Sequence, residues 1–296
     1  MSRLLDQLVL HPSNREQLKR FLARPAHALL ITAPVGSGKY WLAKHLAAEV
    51  LGLDKLVAVD THAYFIHLRP AETKQEIAID DVRAVTTQLR LKTIGRTPIR
   101  RMVLIENAQA MSLEAQTALL KMLEEPPADT LFILTATSPQ ALLPTIVSRA
   151  QRLELQAVEL TAAQHHFASQ PAGEVERAWR LSGGRMGLLS ALLSGDETHP
   201  LKEAIAEVRE FLAGSAYERV VYAQALMTDR LALANFIDAA SRVMQFLHHA
   251  ALAKDNRQLA IKLQANRELL SEQRRQLAAN AQARLVGLQL ALRLRS

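Results

Sequence analysis

The chain has 296 residues, of which 49% are hydrophobic, only 4% are aromatic and none is cysteine. This length predicts two or three domains, and the abundance of Ala, Leu, Gln and Arg indicates a largely helical protein. The lack of cysteine excludes a disulfide framework, a thiolate zinc site and a thiol nucleophile. No apolar run approaches the ~18–20 residues of a membrane span, and the N-terminus lacks the apolar core of a signal peptide, so we expect a cytoplasmic protein without a membrane partner.

The formal net charge is +7, and it is unevenly distributed. Residues 200–296 contain 14 basic and 9 acidic residues, a net charge of +5 for this third of the chain. A basic region of this kind can contact nucleic acid or an acidic partner. A solvated helical surface explains the same excess and is the interpretation that we favour.

Short apolar runs alternate with helical patterns in the first half of the chain, which predicts βαβ units and a parallel sheet. The predicted strands cover residues 28–32, 64–68, 102–105, 131–135 and 153–155. The predicted helices cover residues 39–51, a segment that begins near Asp81 with Asp80 as its cap, and residues 112–125 with Ser112 as N-cap.

Strand patterns end near residue 156, and the remaining sequence is helical. Residues 160–193 predict short helices around a turn at 182–184, and the polar stretch 196–200 predicts a boundary. Further helices are predicted at residues 201–212, 234–252, 258–270 and 280–294. We therefore predict an α/β domain over residues 1–156, a small helical domain over 157–198 and a larger helical domain over 199–296.

Residues 31–40, ITAPVGSGKY, match most of the phosphate-binding pattern G-x-x-x-x-G-K-[ST], in which backbone N–H groups and the lysine hold phosphates and the hydroxyl holds Mg²⁺. Ala33 replaces the first glycine and Tyr40 replaces the Ser/Thr, and a tyrosine hydroxyl lies too far from its Cα to bind that metal. A glycine turn that happens to contain lysine is the alternative, but the preceding strand and following helix favour a P-loop. The candidate nucleotide-binding residues are Pro34, Val35, Gly36, Ser37, Gly38, Lys39 and Tyr40.

A second candidate follows the predicted strand 102–105, where Glu106 and Asn107 stand. A nucleotide motor offers Asp to Mg²⁺ at this place and then Glu to orient the attacking water. Glu106 is a longer carboxylate and Asn107 cannot accept a proton, so water activation is impaired independently of Tyr40. An ordinary strand that ends in a polar turn is the alternative interpretation.

A third pattern is more specific than the P-loop. Residues 108–127 read AQAMSLEAQTALLKMLEEPP, and residues 131–155 read LFILTATSPQALLPTIVSRAQRLEL. In order and spacing these segments resemble the AAA+ clamp-loader family, and most closely the delta-prime subunits of bacterial DNA polymerase III clamp loaders. Residues 25–39, 77–85 and 279–294 also resemble that family, so the resemblance covers nearly the whole chain.

The resemblance implies an α/β P-loop AAA+ domain with a parallel sheet, then a small helical lid and an all-α collar that packs subunits into a ring. It also implies roles for single residues. Ser148 and Arg149 match the motif whose arginine enters the ATP site of a neighbouring subunit, with Ala150 in place of its cysteine. A surface or salt-bridge arginine is the alternative, but the preceding residues PTIV favour the motif. Thr137 matches the first sensor position. Gly187 stands where active subunits carry a second sensor arginine.

By this resemblance the chain is a non-motor, stator-like subunit of the replicative sliding-clamp loader. It would assemble with active ATPase subunits and a clamp-opening subunit, supply Arg149 in trans, and help to load the sliding clamp on primed DNA. We expect little or no ATP hydrolysis of its own. The sequence leaves open whether ATP or ADP binds at the loop, and any that does would lack competent Mg²⁺-dependent hydrolysis. Family members commonly carry a four-cysteine zinc module, but residues 52–62 contain no cysteine, so no zinc is expected. His62 and His67 are interpreted as structural.

Two other functions stay open. An autonomous AAA+ ATPase, such as a helicase-type motor, needs intact metal-binding and water-activating groups, and Tyr40 and Asn107 argue against it. A nucleotide-sensing scaffold outside replication needs neither group, and the sequence alone does not exclude it.

Overall fold

The computed structural model describes residues 3–70, 76–94, 98–194 and 200–294. The chain divides into two compact units, Met1–Ala162 and Ala163–Ser296. Within the described ranges, no helix is both long and apolar enough to cross a membrane.

The first unit contains a five-stranded parallel sheet, as the sequence predicts. The strands are β1 (Ala28–Thr32), β2 (Phe65–Leu68), β3 (Arg101–Ile105), β4 (Thr130–Ala136) and β5 (Gln151–Glu154). Their order across the sheet is β2-β3-β4-β1-β5, and every neighbouring pair is parallel. All five carboxyl ends therefore lie at one edge of the sheet, where the loops of such folds bind ligands.

The predicted position of the last strand is wrong by two residues at its start. The sequence predicts residues 153–155, whereas β5 begins at Gln151, which pairs with Leu29. Only Leu153 is buried in β5, because this strand lies at the sheet boundary and its other side chains face solvent. An edge strand of this kind has no long apolar run that would reveal it.

The sheet is covered on both faces, because alternate residues of each central strand point to opposite sides. Leu29 and Ile31 of β1 belong to one hydrophobic cluster, and Ala28 and Leu30 belong to the other. The helices of this unit are α1 (Arg3–Asp6), α2 (Pro12–Ala23), α3 (Lys39–Val50), α4 (Val57–Asp60), α5 (Ile79–Leu89), α6 (Leu113–Glu124) and α7 (Pro144–Val147), and α8 (Leu160–His166) contains the boundary between the units.

One predicted helix cap is confirmed and one is wrong. Ser112 is the N-cap of α6, and its Oγ accepts the Ala115 N–H at 3.1 Å. Helix α5 starts before Asp80, with Ala78 as its N-cap. The Asp81 carboxylate accepts the Ala78 N–H at 2.8 Å, so the acid that stabilises this helix start is one residue later than predicted.

The second unit is entirely helical. Its further helices are α9 (Ala172–Ser182), α10 (Met186–Ser194), α11 (Pro200–Ala213), α12 (Ala216–Leu226), α13 (Arg230–Ala253), α14 (Arg257–Ala278) and α15 (Ala283–Arg293). One hydrophobic cluster joins Leu188 of α10 to Val208 of α11 and Phe236 of α13. The predicted boundary after residue 198 and residues 196–199 of the polar stretch 196–200 lie outside the described residues, so the division into lid and collar stays a prediction.

Candidate functional site

The loop between β1 and α3 has the backbone of a phosphate-binding turn. Gly36 and Gly38 both have left-handed backbone angles, with φ of 83° and 85°. Such angles strain any residue that carries a Cβ, so glycine at these two positions lets the chain turn sharply into α3. Gly38 is the N-cap of that helix, and the amide groups of the first helical turn and its dipole favour an anion there.

The Lys39 side chain folds back over this loop. It is 8% exposed, and its Nζ donates to the carbonyl oxygens of Ala33 at 2.7 Å and of Pro34 at 3.2 Å. These contacts connect the beginning of the loop to the beginning of α3. The predicted P-loop residues are thus brought together in one turn, with the lysine ammonium held against the loop backbone.

Tyr40 contacts His67 of β2, and His67 in turn contacts Glu106, which follows β3. The Tyr40 ring stacks on the His67 ring at a centroid distance of 5.5 Å and an angle of 23°. His67 Nε2 in turn lies 3.0 Å from Glu106 Oε2, a hydrogen bond in which the imidazole N–H donates to the carboxylate. We call Tyr40, His67 and Glu106 the closed cluster, because His67 contacts both of the other two side chains.

The strand register explains why these residues meet. His67 lies in β2 opposite Leu104 of β3, and the Glu106 N–H donates to the Leu68 carbonyl at 2.8 Å. Both β2 and β3 end at the carboxyl edge of the sheet, where α3 also begins. Side chains that are far apart in sequence therefore converge beside the P-loop.

The closed cluster does not fit a magnesium ion of the motor type. Magnesium requires oxygen ligands in near-octahedral geometry, usually carboxylates and phosphates together with water. At the hydroxyl position of the P-loop pattern stands the Tyr40 ring, and the carboxylate of Glu106 is hydrogen-bonded to His67. No group of three or more His, Cys, Asp or Glu side chains placed to hold a metal ion is found in the part of the chain that the structure describes.

The water-positioning and sensor positions lie on the same edge. Asn107 directly follows Glu106 in a left-handed conformation with φ of 54°, and its N–H donates to Thr135 Oγ1 at 3.0 Å. Thr137, the predicted first sensor, directly follows β4. Because β4 lies between β1 and β3, Thr137 follows the strand next to the one that carries the P-loop.

In the second unit, Arg185 is part of a charged group on the helices. Arg274 of α14 lies 2.8 Å from the carboxylate of Asp238 on α13. Burial raises the pKa of Asp238, while the charges of Arg274 and Arg185 act in the opposite direction. Burial also lowers the pKa of Arg185. Arg185 thus has an acidic neighbour within its own unit. Gly187, at the predicted second sensor position, lies in the first turn of α10.

Arg149 and Ser148 lie at the opposite edge of the sheet from the P-loop. They connect α7 to β5, so they come before the amino end of a parallel strand. Gln151 is level with Leu29, and the three further residues to the end of β1 span about 10 Å at a rise of roughly 3.3 Å per residue. The predicted site residues thus form two separate groups, and the structure does not bring Arg149 to the P-loop of its own chain.

The Arg149 guanidinium is partly exposed and has two partners. Its Nη2 donates to Glu124 Oε1 at 2.7 Å, and its Nη1 donates to the Thr145 carbonyl at 3.1 Å. The side chains of Arg149 and Glu124 are 35% and 48% exposed. Ser148 is exposed, and its Oγ donates to the same Thr145 carbonyl at 3.0 Å.

The sequence did not reveal the two residues that contact the predicted site residues Tyr40 and Arg149, namely His67 and Glu124. His67 was interpreted as structural, and its position near the carboxyl end of a strand was the signal that it faces the P-loop. Glu124 lies in the segment LLKMLEEPP, which supported the family resemblance without a role for this residue. Since both contacts join residues far apart in the chain, only the folded sheet reveals them.

A protein-family model described as DNA polymerase III, delta subunit, matches residues 12–159, half of the chain. The DNA polymerase III subunit delta′ of Pseudomonas aeruginosa is 36% identical over 180 residues, which cover 55% of this chain and 54% of that protein. The subunit of the same name from Escherichia coli is 33% identical over 191 residues, which cover 58% of this chain and 56% of that protein. The chain therefore spans about half the length of these relatives.

The fold is also similar to a solved structure, a DNA polymerase III gamma subunit-related protein from Thermotoga maritima. The TM-score is 0.54 at 18% sequence identity, and the match covers 95% of this chain and 99% of that chain. This likeness concerns the fold alone.

Proposed function

The chain belongs to the family described as DNA polymerase III, delta subunit, and from this premise we propose that it is a non-motor subunit of a sliding-clamp loader. Its relatives are named as delta′ subunits of DNA polymerase III, and others as its tau and gamma subunits. In the proposed role the chain assembles in a ring with active ATPase subunits and a clamp-opening subunit. The ring acts in the cytoplasm and places the sliding clamp on primed DNA.

One observation carries the proposal, namely that the two candidate groups lie at opposite edges of the same sheet. The P-loop edge holds the closed cluster, and the other edge presents Arg149 with 35% of its side chain exposed. An arginine at that place cannot serve its own P-loop, whereas it is accessible to the site of an adjacent subunit. A guanidinium supplied in trans stabilises charge that develops on the γ-phosphate, and its removal lowers turnover by roughly 10³–10⁵-fold in known cases.

The closed cluster supports the second part of the proposal, which concerns this chain's own nucleotide. ATP or ADP at this loop would be held by the N–H groups of residues 35–39 and by Lys39, and metal-dependent hydrolysis would be missing. Glu106 is engaged by His67, and Asn107 cannot take a proton from water. The chain therefore turns over little or no ATP by itself.

The decisive experiment reconstitutes the clamp-loader complex with the full chain and compares Arg149→Ala with wild type. We expect normal assembly and a loss of at least about 100-fold in single-turnover hydrolysis at the neighbouring site in the presence of primed DNA. Arg152→Ala is the matched control, since this exposed arginine lies three residues further along on β5. Unchanged hydrolysis in Arg149→Ala would disprove the role in trans.

The isolated chain tests the competing function. ATP turnover by the purified protein at the rate of an ordinary motor, abolished by Lys39→Ala, would favour an autonomous ATPase. We expect turnover at or near background for wild type and for Lys39→Ala alike. Primed DNA added to the isolated chain should not change this result.

A further inference from the structure

The contact between Arg149 and Glu124 brings together two segments that are distant in sequence. Glu124 is the last residue of α6, and Arg149 follows α7 by two positions. Their 2.7 Å hydrogen bond is charge-assisted, which makes it stronger than a bond between neutral groups. The Thr145 carbonyl binds the other terminal nitrogen of the same guanidinium, so the head group is fixed at two points.

Glu124 stands on a well-anchored support. The next residue, Glu125, is the C-cap of α6, and Pro126 and Pro127 prevent the helix from continuing. Leu119, Met122 and Leu123 of α6 are buried in the core of the sheet. The carboxylate therefore projects from the end of a helix whose position is set by core packing.

The same helix also holds the segment that leads to α7. Gln116 is buried in α6, and its Oε1 accepts the Leu143 N–H at 2.9 Å. Leu143 is the N-cap of α7, while Thr145 within α7 accepts a hydrogen bond from Arg149. Helix α6 thus contacts this short segment at its start through Gln116 and at its end through Glu124.

The hydrogen-bonding capacity of the guanidinium leaves room for a further partner. Arginine has five N–H donors in a planar arrangement, and Arg149 uses two of them for Glu124 and Thr145 within the described part of the chain. A long arginine side chain loses much rotamer freedom when it is fixed against a ligand. Contacts that already restrict the side chain before the ligand arrives reduce that loss.

We propose that Glu124 is a positioning residue that holds Arg149 in the orientation in which it meets the phosphates of the adjacent subunit. The inference rests on the proposed function, because it concerns the arginine assigned there. Glu124 touches no phosphate itself and acts through Arg149. Since both side chains are partly exposed and solvent weakens such a pair, its contribution to turnover amounts to a factor of several.

The test compares Glu124→Ala, Glu124→Gln and the matched control Glu125→Ala in the reconstituted complex with primed DNA. Glu125 is the adjacent exposed carboxylate, so its removal changes the net charge equally. We expect Glu124→Ala to lower kcat at the neighbouring site about 3- to 10-fold, with the KM for ATP and assembly unchanged. Glu124→Gln should recover most of the rate because its amide oxygen still accepts a hydrogen bond from Arg149.

The double variant Glu124→Ala/Arg149→Ala shows whether Glu124 changes the rate of hydrolysis through Arg149 or independently of it. If Glu124 acts only through Arg149, the double variant should be as slow as Arg149→Ala alone. An equal loss for Glu124→Ala and Glu125→Ala, a further loss in the double variant, or a faster Glu124→Ala would each overturn the inference. A normal rate for Arg149→Ala would instead disprove the role in trans, so failure of the two proposals can be distinguished.

Discussion

The two edges of the sheet differ in how their polar side chains are used. At the carboxyl edge, His67 contacts both Tyr40 and Glu106, and Lys39 is held by backbone carbonyls. At the amino edge, the Arg149 guanidinium keeps donors for a further partner. The loop has the two left-handed glycines of a phosphate-binding turn, whereas Tyr40 stands at the Ser/Thr position of the pattern.

The difference in exposure predicts a difference in what substitutions do. Lys39 is 8% exposed and the Arg149 side chain is 35% exposed. Buried groups with fixed partners contribute to folding, and exposed ones contribute little. Substitutions at the carboxyl edge should therefore lower stability with little effect on the complex. Substitutions at the amino edge should lower the activity of the complex with little effect on stability.

The largest change in stability is expected for Lys39→Ala. This substitution removes the Lys39 donor from the carbonyls of Ala33 and Pro34, of which Pro34 keeps the Ser37 N–H at 3.4 Å. It should lower the free energy of unfolding by about 1–3 kcal/mol. Hydrolysis by the assembled complex should stay within about twofold of wild type, which corresponds to about 0.4 kcal/mol. Chemical denaturation and the reconstituted assay measure the two effects. Lys121→Ala, on the exposed face of α6, is the control, and a large loss of complex activity in Lys39→Ala would show that the P-loop still works.

A somewhat smaller effect is expected for Tyr40→Thr, which restores the missing hydroxyl type. Loss of the ring should lower stability by about 1–2 kcal/mol, and a double-mutant cycle with His67→Ala should show a coupling of about 0.5–1.5 kcal/mol. We expect no magnesium-dependent ATP turnover by this variant, because Glu106 and Asn107 are unchanged. Turnover that appears on addition of Mg²⁺ would mean that Tyr40 alone closes the site.

The sequence predicts the parts of this fold that depend on local patterns. Apolar runs locate the fully buried strands β1, β3 and β4, and the glycine pattern places the loop before α3. The start of the edge strand β5 is predicted two residues too late because only Leu153 in it is buried. Helix α12 was not predicted, although Ser215 and Glu218 form a capping box at its start, with the Ser215 N–H bound by Glu218 at 2.7 Å. That S-x-x-E signal was readable from the sequence.

The contacts of the candidate site were harder to predict for a different reason. Tyr40 meets His67 only because β2 joins the sheet in a particular register, and Glu124 meets Arg149 only because α6 returns to the amino edge. Local pattern fixes neither arrangement. The family resemblance identified Arg149 as a candidate site residue, but it did not indicate which side chain of the same chain binds Arg149.

A pH-dependent effect is expected at His45, which is buried in α3 beside the P-loop. Its Nδ1 lies 2.7 Å from the Trp41 carbonyl. Burial lowers the pKa of His45 below its ordinary value of 6.5, the nearby charge of Lys44 lowers it further, and the hydrogen bond to Trp41 opposes the shift. Below pH 6.5 the unfolded chain therefore takes up a proton that the folded chain resists. The contribution of His45 to the free energy of unfolding is therefore complete above pH 6.5. It falls as the pH drops toward the lowered pKa, by at most about 1.4 kcal/mol per pH unit.

Hydrogen exchange of the α3 amides between pH 7.5 and 5.5, corrected for intrinsic rates, measures this loss locally. His45→Gln should remove the part of the pH dependence that His45 causes, because glutamine does not titrate. The exposed His165 provides the control substitution His165→Gln. Equal pH dependence in wild type and His45→Gln would show that other groups account for the loss.

The smallest change in stability is expected for Arg149→Ala. Its ion pair with Glu124 is 35% and 48% exposed, so solvent screens it and the free energy of unfolding should change by less than about 0.5 kcal/mol. Chemical denaturation at low and high salt measures this change, and the small difference should shrink further as salt rises. A loss above about 2 kcal/mol would place Arg149 among the structural residues. Reduced hydrolysis by the complex would then report a damaged subunit instead of a missing guanidinium, and the contrast between the two edges would fail at the residue on which it depends most.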